Sequence, residues 1–435
     1  MMRIKIYPFI IVFFCQFTYA QQNDLQRIKR IPALGIQLTA ADNQELTSAL
    51  KAFEISISQL KSKPDAFTKN LLPDVLVYYK AVDYALKYQE FFDVKEIASA
   101  RKLLKEGMQR ANELKAGKAP WTTQKGEVVR GYISKIDGSV QPYGLSIPEN
   151  YNPAGTKFNL SLWFHGRGEN LSELNFISNG KGFFPAMPEM KNTIMLYPYG
   201  RYCNAFKFAG EVDVLEAMEA VKHLYNINNQ GIIDRGFSMG GAAAWQFAVH
   251  YPDLWLAANP GAGFAETQDF LKVFSKQIVT PTWYERQLWH LYDCTDYASN
   301  LSNLPLVAYN GELDAQKQAA DVMEMAMKKE GLTLNRITGP NTGHAYHKAS
   351  AKTVDSILAI VAASGKAPVP KELHFTTYTL KYNKMYWLSV DALKEHWEKA
   401  RIDASISKNS IDIKTLNVTS LTLQTALLSP LVKSA

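Results

Sequence analysis

The sequence predicts an α/β protein: a doubly wound, mostly parallel sheet, with a helical region before it and a small β module after it. Three observations carry this expectation. Over residues 119–365, short apolar runs alternate with segments whose apolar residues recur every three or four positions. Strand–helix alternation of that length means a parallel sheet covered on both faces. Residues 21–118 show the helical period alone, and beyond residue 371 the period drops to two.

The elements follow in order. "LTSALKAFEISISQLK", "LLPDVLVYYKAVDYALKYQ" and "EIASARKLLKEGMQRANELK" predict helices, and "KAGKAPW" (115–121) breaks the pattern. "EVVRGYIS" and "SVQPYGLSIP" predict strands joined by the turn "KIDG". "FNLSLWF" (158–164) and "NTIMLYPYG" (192–200) predict buried strands, and "AGEVDVLEAMEAVKHLY" (209–225) an amphipathic helix. "GIIDR" predicts a short strand, and "GAAAWQFAVHY" a helix stopped by Pro252. "LWLAANP", "LPLVAYN" (304–310) and "LNRITG" predict strands, while "KQAADVMEMAMKKEG" and "AKTVDSILAIVAAS" predict helices. After the linker "GKAPVPKEL", residues 371–435 predict a small β module that opens with a hairpin turning at Tyr382-Asn383-Lys384.

Composition narrows the function classes. The 435 residues leave room for two or three domains, and 47% hydrophobic with 20% charged residues is ordinary for a globular chain. The net charge of +7 comes from scattered Lys and Arg without a dense basic run, so no nucleic-acid partner is expected. The first twenty residues, "MMRIKIYPFIIVFFCQFTYA", place Arg3 and Lys5 before an apolar run and end on a small-x-small site. They predict a cleaved secretory signal and an exported (periplasmic or extracellular) chain starting near Gln21, with no stable membrane insertion afterwards. Phe14 stands before Cys15 where a lipoprotein would carry a small residue. The remaining cysteines, Cys203 and Cys294, either pair in an oxidising compartment or stay as buried thiols. C-x-x-C and H-E-x-x-H spacings are absent, so neither metal nor cofactor is expected.

The chemistry centres on Gly236-Phe237-Ser238-Met239-Gly240. A strand running through Gly-x-Ser-x-Gly into a helix makes a sharp elbow that exposes the serine. A nucleophilic serine needs a base, an orienting acid and oxyanion donors. The strand "LPLVAYN" runs into Gly311 and Asp314, the expected acid, with Glu312 as its rival. "TGPNTGHAYHK" supplies His344 as the expected base, with His347 as its rival. The backbone N–H groups of Met239 and Arg167, the latter in "WFHGRGEN", are the expected oxyanion donors, and His165 reads as structural. Three features stay open. The segment 280–300 concentrates aromatics, of which Trp283, Tyr284 and Trp289 are candidate substrate contacts or core packing. Arg201 either meets an acidic substrate group or is solvated. Asp234 and Arg235, side by side in the strand before the elbow, should face opposite ways and need partners if buried.

"FHGRGE", "GFSMGGAAAW", "YNGELD" and "TGH" resemble the α/β-hydrolases of the prolyl-oligopeptidase family and its secreted esterase relatives, over about 120–365. The order Ser238, Asp314, His344 is the chain order of that fold. The resemblance implies a Ser-His-Asp triad, an acyl-enzyme and an oxyanion hole. It departs from oligopeptidases proper, because the residues before the sheet show no propeller repeats. An ester hydrolase, its substrate a small molecule or an oligosaccharide ester, is therefore the first expectation. A peptidase on short peptides is the second, and a non-catalytic binding protein on the same fold the third.

Overall fold

A computed structural model describes residues 32–178, 190–274, 276–407 and 410–428. The expected signal at 1–20, Cys15 included, lies outside the described residues. Four helices come first: α1 (Ala40–Lys61), α2 (Ala66–Leu71), α3 (Pro73–Lys87) and α4 (Lys95–Lys115). Thr39 caps α1 and Asp65 caps α2 by accepting from backbone N–H groups of the first turn.

An eight-stranded sheet follows, in the order β1-β2-β4-β3-β5-β6-β7-β8. Its strands are β1 (Gly126–Ile133), β2 (Val140–Ile147), β3 (Phe158–Phe164), β4 (Thr193–Pro198), β5 (Ile227–Phe237), β6 (Ala257–Gly261), β7 (Val307–Gly311) and β8 (Asn335–Gly339). β1, β2 and β4 pair antiparallel; from β4 to β8 every pairing is parallel. The connecting helices are α5 (Glu173–Ser178), α6 (Ala209–Leu224), α7 (Met239–His250), α8 (Gln268–Val273), α9 (Trp283–Trp289), α10 (Gln318–Lys329) and α11 (Lys348–Ser364). This is the α/β-hydrolase arrangement, with the ends of β3 to β8 opening on one edge.

The helical region shares its core with the sheet: Phe53, Val77, Tyr78 and Leu104 belong to the same buried cluster as Leu145, Leu162 and Phe247. Asp74 of α3, fully buried, accepts from Arg130 Nε, Gly131 N and Trp121 Nε1, each at 2.9 Å. Gly131 permits that approach, since a Cβ there would meet the Pro73 carbonyl oxygen at 2.5 Å.

The C-terminal module has a second core around Phe375, Trp387 and Ile402. Its strands are β9 (Glu372–Thr377), β10 (Lys384–Met385), β11 (Leu388–Leu393), β12 (Ala400–Ile406), β13 (Ile411–Leu416) and β14 (Val418–Leu423), in two three-stranded sheets, β10-β11-β14 and β13-β12-β9. The expected hairpin at Tyr382-Asn383-Lys384 does not form. β9 pairs with β12 instead, and the tight turn falls between β10 and β11. The reason is that the aromatics of 378–382 face the catalytic region: Tyr382 stacks on His250 at 3.7 Å, and Tyr378 on His290 at 4.3 Å. Among the described residues, no helix is long and apolar enough to cross a membrane.

Candidate active site

Ser238 stands between β5 and α7 with φ +60° and ψ −122°. This is a strained backbone for a residue with a side chain. Neighbouring glycines let it form. A Cβ on Gly236 would lie 2.2 Å from the Gly240 carbonyl oxygen, and one on Gly240 only 1.9 Å from that of Phe164. The Ser238 N–H donates to the Gly261 carbonyl at 2.9 Å, tying the elbow to the end of β6. The helix that starts at Met239 leaves its first N–H groups without intrahelical acceptors and points its positive end at the serine.

The acid and base loops meet at the same edge. His344 Nδ1 lies 2.7 Å from Asp314 Oδ2, and Asp314 is only 4% exposed. Its other oxygen accepts from the Gln316 N–H at 2.8 Å. Contact between the two loops is close: a Cβ on Gly311 would lie 2.2 Å from the Gly343 carbonyl oxygen, and the Leu313 N–H donates to Thr342. An aromatic stack steadies the His344 loop. Phe237, next to the serine, packs on His344 at 4.8 Å and on Tyr346 at 5.1 Å, and Tyr346 stacks on Tyr309 at 4.1 Å. Both rivals are engaged elsewhere. Glu312 accepts from the Asn341 N–H, and His347 caps α11 by accepting from Ser350 N.

On the other side, Gly166 approaches the elbow closely enough that a Cβ would sit 3.8 Å from Ser238 Cβ. Arg167 follows, its side chain exposed and paired with Glu169 at 2.6 Å. His165 is buried, with its ring nitrogens each 2.9 Å from a carbonyl oxygen, of Gly166 and of Tyr199. Burial lowers its pKa, which suits a structural imidazole. Cys203 and Cys294 are both free, so the disulfide alternative does not hold. Cys203 grips the same loop, since Sγ accepts from Gly168 N and donates to Gly168 O.

The charged pair before the elbow separates as the alternation of a strand requires. Arg235 is buried, donates from Nη2 to Asp355 Oδ1 of α11 at 2.7 Å, and lies over the Trp163 ring. It braces the helix that follows the His344 loop. Asp234 faces the opposite side, fully buried, with neither carboxylate oxygen hydrogen-bonded among the described residues, and burial holds its pKa well above the usual carboxylate range. β5 runs on through Phe237, so no early strand end hydrates the pair.

The aromatic segment divides. Trp283 and Tyr284 are 74% and 51% exposed and pack edge to face on each other, while Trp289 is half-buried. Among the described residues, no ring contact or hydrogen bond joins these three to Ser238 or His344. Arg201 is neither free nor solvated; it pairs with Asp137 at 2.6 Å. Sequence reasoning missed three supports: the Phe237–Tyr346–Tyr309 stack, Asp355, and the Cys203 grip on Gly168. Each joins residues far apart in the chain, which spacing does not reveal.

The prolyl oligopeptidase family matches residues 209–362, a stretch that contains Ser238, Asp314 and His344. No curated protein matches the chain. Among solved structures, one from Bacteroides ovatus described as a dipeptidyl aminopeptidase IV shares 14% identity at a TM-score of 0.44, covering 57% of this chain and 37% of that one. A thermostable esterase shares 16% at 0.40, covering 55% and 63%. A ferulic acid esterase shares 15% at 0.38, covering 55% and 98%. The chain thus spans less than two thirds of the first two. The matched stretch is similar to a family of serine hydrolases.

Proposed function

We propose that this serine-hydrolase domain belongs to an exported carboxylic-ester hydrolase that works through an acyl-enzyme on Ser238, with carbohydrate esters among its substrates. The observation that carries the reading is the 2.7 Å contact of His344 Nδ1 with the buried Asp314, at the sheet edge where Ser238 holds its strained elbow. In this mechanism Ser238 Oγ attacks the ester carbonyl and its proton passes to His344 Nε2. Asp314 fixes the tautomer and stabilises the imidazolium. The Met239 and Arg167 N–H groups receive the oxyanion. The imidazolium then protonates the leaving alcohol. Water, deprotonated by His344, breaks the Ser238–acyl bond and restores the enzyme.

Two features support esters over peptides. The described residues ahead of the sheet form four α-helices, and the segment after β6 presents the exposed rings of Trp283 and Tyr284, faces suited to sugars or aromatic acyl groups. The family match favours a second reading, cleavage of short peptides. A panel of acetyl, feruloyl and short-chain esters beside aminoacyl-proline amides separates them. Turnover of amides alone sinks the ester reading. Absence of a fluorophosphonate adduct on Ser238 in folded protein sinks both and leaves a binding protein. Export is tested by N-terminal sequencing of the exported chain, with Gln21 expected near its start.

A further inference from the structure

The loop between β4 and α6 carries a cation that the proposed mechanism does not use. Five of its non-glycine residues hold left-handed backbone: Arg201, Tyr202, Ala205, Phe206 and Phe208, with φ between +53° and +84°. Such strain persists only where the surroundings enforce it, and it gathers at functional sites. Two anchors enforce it here. Phe206 packs on His165 at 4.8 Å and on Phe164 at 5.0 Å, beneath the loop that leads to Arg167. The Phe208 N–H donates to Tyr292 Oη at 2.7 Å.

Lys207 lies between those anchors. Its ammonium stands 4.9 Å from the Tyr292 ring centroid and 5.4 Å from that of Phe264. Phe264 follows the stretch 261–263 that packs on the elbow. Gly261 accepts from Ser238 N, and a Cβ on Gly241 would lie 3.0 Å from Gly263 N. The cation is therefore set between the loop beneath the oxyanion donors and the loop beside the nucleophile. The Lys207 ammonium has no ion pair or hydrogen bond among the described residues. The nearby Asp293 instead accepts from Thr267 Oγ1 at 2.6 Å, and burial pushes its pKa up to about 7. Burial likewise lowers the Lys207 pKa, and the charges of Cys294 and Asp293 oppose that shift without reversing it. A positioned cation whose ammonium is not hydrogen-bonded to a carboxylate matches one brought by a ligand.

We infer that Lys207 is a specificity residue that receives a carboxylate of the substrate, so that the enzyme favours acidic esters. This deepens the proposed hydrolase reading and rests on it. The carboxylate can sit on the acyl or on the alcohol side, and paired substrates tell which. For the full-length protein, kcat/KM is measured for p-nitrophenyl butyrate against p-nitrophenyl hemisuccinate, and for phenyl acetate against 4-carboxyphenyl acetate, each corrected for spontaneous hydrolysis. The expected result is a preference for the anionic member in one pair. Lys207→Met lowers that anionic-to-neutral ratio at least tenfold, through KM, and Lys207→Arg recovers part of it. A wild-type enzyme without preference in either pair overturns the inference. So does Lys207→Met lowering both members of a pair alike, because packing support alone would do that. Fluorophosphonate labelling of Ser238 is run beside the panel. Labelling with no discrimination overturns the Lys207 inference only, whereas no labelling overturns the hydrolase reading and the inference with it.

Discussion

Asp314→Asn tests the proposed triad sharply, because its geometry dictates which way the amide must turn. In the wild type one carboxylate oxygen accepts from Gln316 N–H at 2.8 Å and the other faces His344 Nδ1 at 2.7 Å. An asparagine keeps the shape but has one acceptor. Turning its NH2 toward Gln316 sets two donors against each other in a buried site, so the oxygen stays there and the NH2 faces His344. The amide then donates to Nδ1, the imidazole proton moves to Nε2, and the nitrogen meant to take the Ser238 proton can no longer accept it. A tautomer error of this kind lowers kcat by about 10³- to 10⁴-fold. At 1.36 kcal/mol per tenfold, that is about 4–5.5 kcal/mol of transition-state stabilisation. KM should stay within about threefold, since no substrate contact is removed. The assay is steady-state ester hydrolysis together with the rate of fluorophosphonate labelling and a thermal melt. Glu312→Gln is the control, because among the described residues the Glu312 carboxylate accepts only from the Asn341 N–H. If Asp314→Asn keeps more than about a tenth of wild-type kcat while Glu312→Gln loses more, the acid assignment is wrong.

Gly240→Ala should abolish activity and soluble yield, because its Cβ would sit 1.9 Å from a backbone oxygen that cannot yield, whereas Gly166→Ala, whose Cβ meets nothing nearer than 3.8 Å, should fold; expression and circular dichroism of the pair decide. Asp234→Asn removes a buried titratable group without changing shape. Because burial raises the folded-state pKa of Asp234, the native protein keeps a proton that the unfolded chain releases above its pKa of about 3.9. Wild-type stability therefore falls as pH rises from there toward the folded pKa, and is unaffected by this group below it. The stability advantage of Asp234→Asn, read by urea unfolding, should be near zero at pH 3 and grow by at most about 1.4 kcal/mol per pH unit above pH 4. A difference independent of pH would refute the assignment.

How far the sequence reaches depends on whether the information is local. Strand and helix positions follow from apolar period, and the predicted elements from "EVVRGYIS" to the last helix appear near where the period puts them, although "GIIDR" extends to β5 (Ile227–Phe237) and the short helices α5, α8 and α9 carry no such signal. That Ser238, Asp314 and His344 lie on one sheet edge follows because each sits just past a strand, and a parallel sheet delivers every such position to one edge. Pairing partners do not follow this way. Arg235 meets Asp355, 120 residues away, and β9 joins β12 across the intervening strands β10 and β11. Period two identifies a strand but does not name its neighbour. The left-handed run at 201–208 has no glycine signal beyond Gly200, because packing on His165 and Tyr292, not residue type, imposes it.

The same reasoning makes the C-terminal module part of the catalytic unit. Glu211, at the first turn of α6, is 1% exposed. It accepts from Tyr251, from Tyr382 at 3.0 Å and from Lys381 at 2.6 Å, the last two brought by the module. Tyr292, which holds Phe208 and lies under Lys207, touches the same carboxylate. Removing Lys381 leaves a buried carboxylate without its cation. A fully buried broken pair costs about 3–5 kcal/mol, but Lys381 is 40% exposed, so water compensates part and about 1–3 kcal/mol is expected. If module and sheet form one unit, Lys381→Ala lowers the single urea transition followed at once by tryptophan fluorescence and by hydrolysis. Two separated transitions, with hydrolysis surviving the first, would show that the module is an appendage and that the strained loop is held by the catalytic region alone.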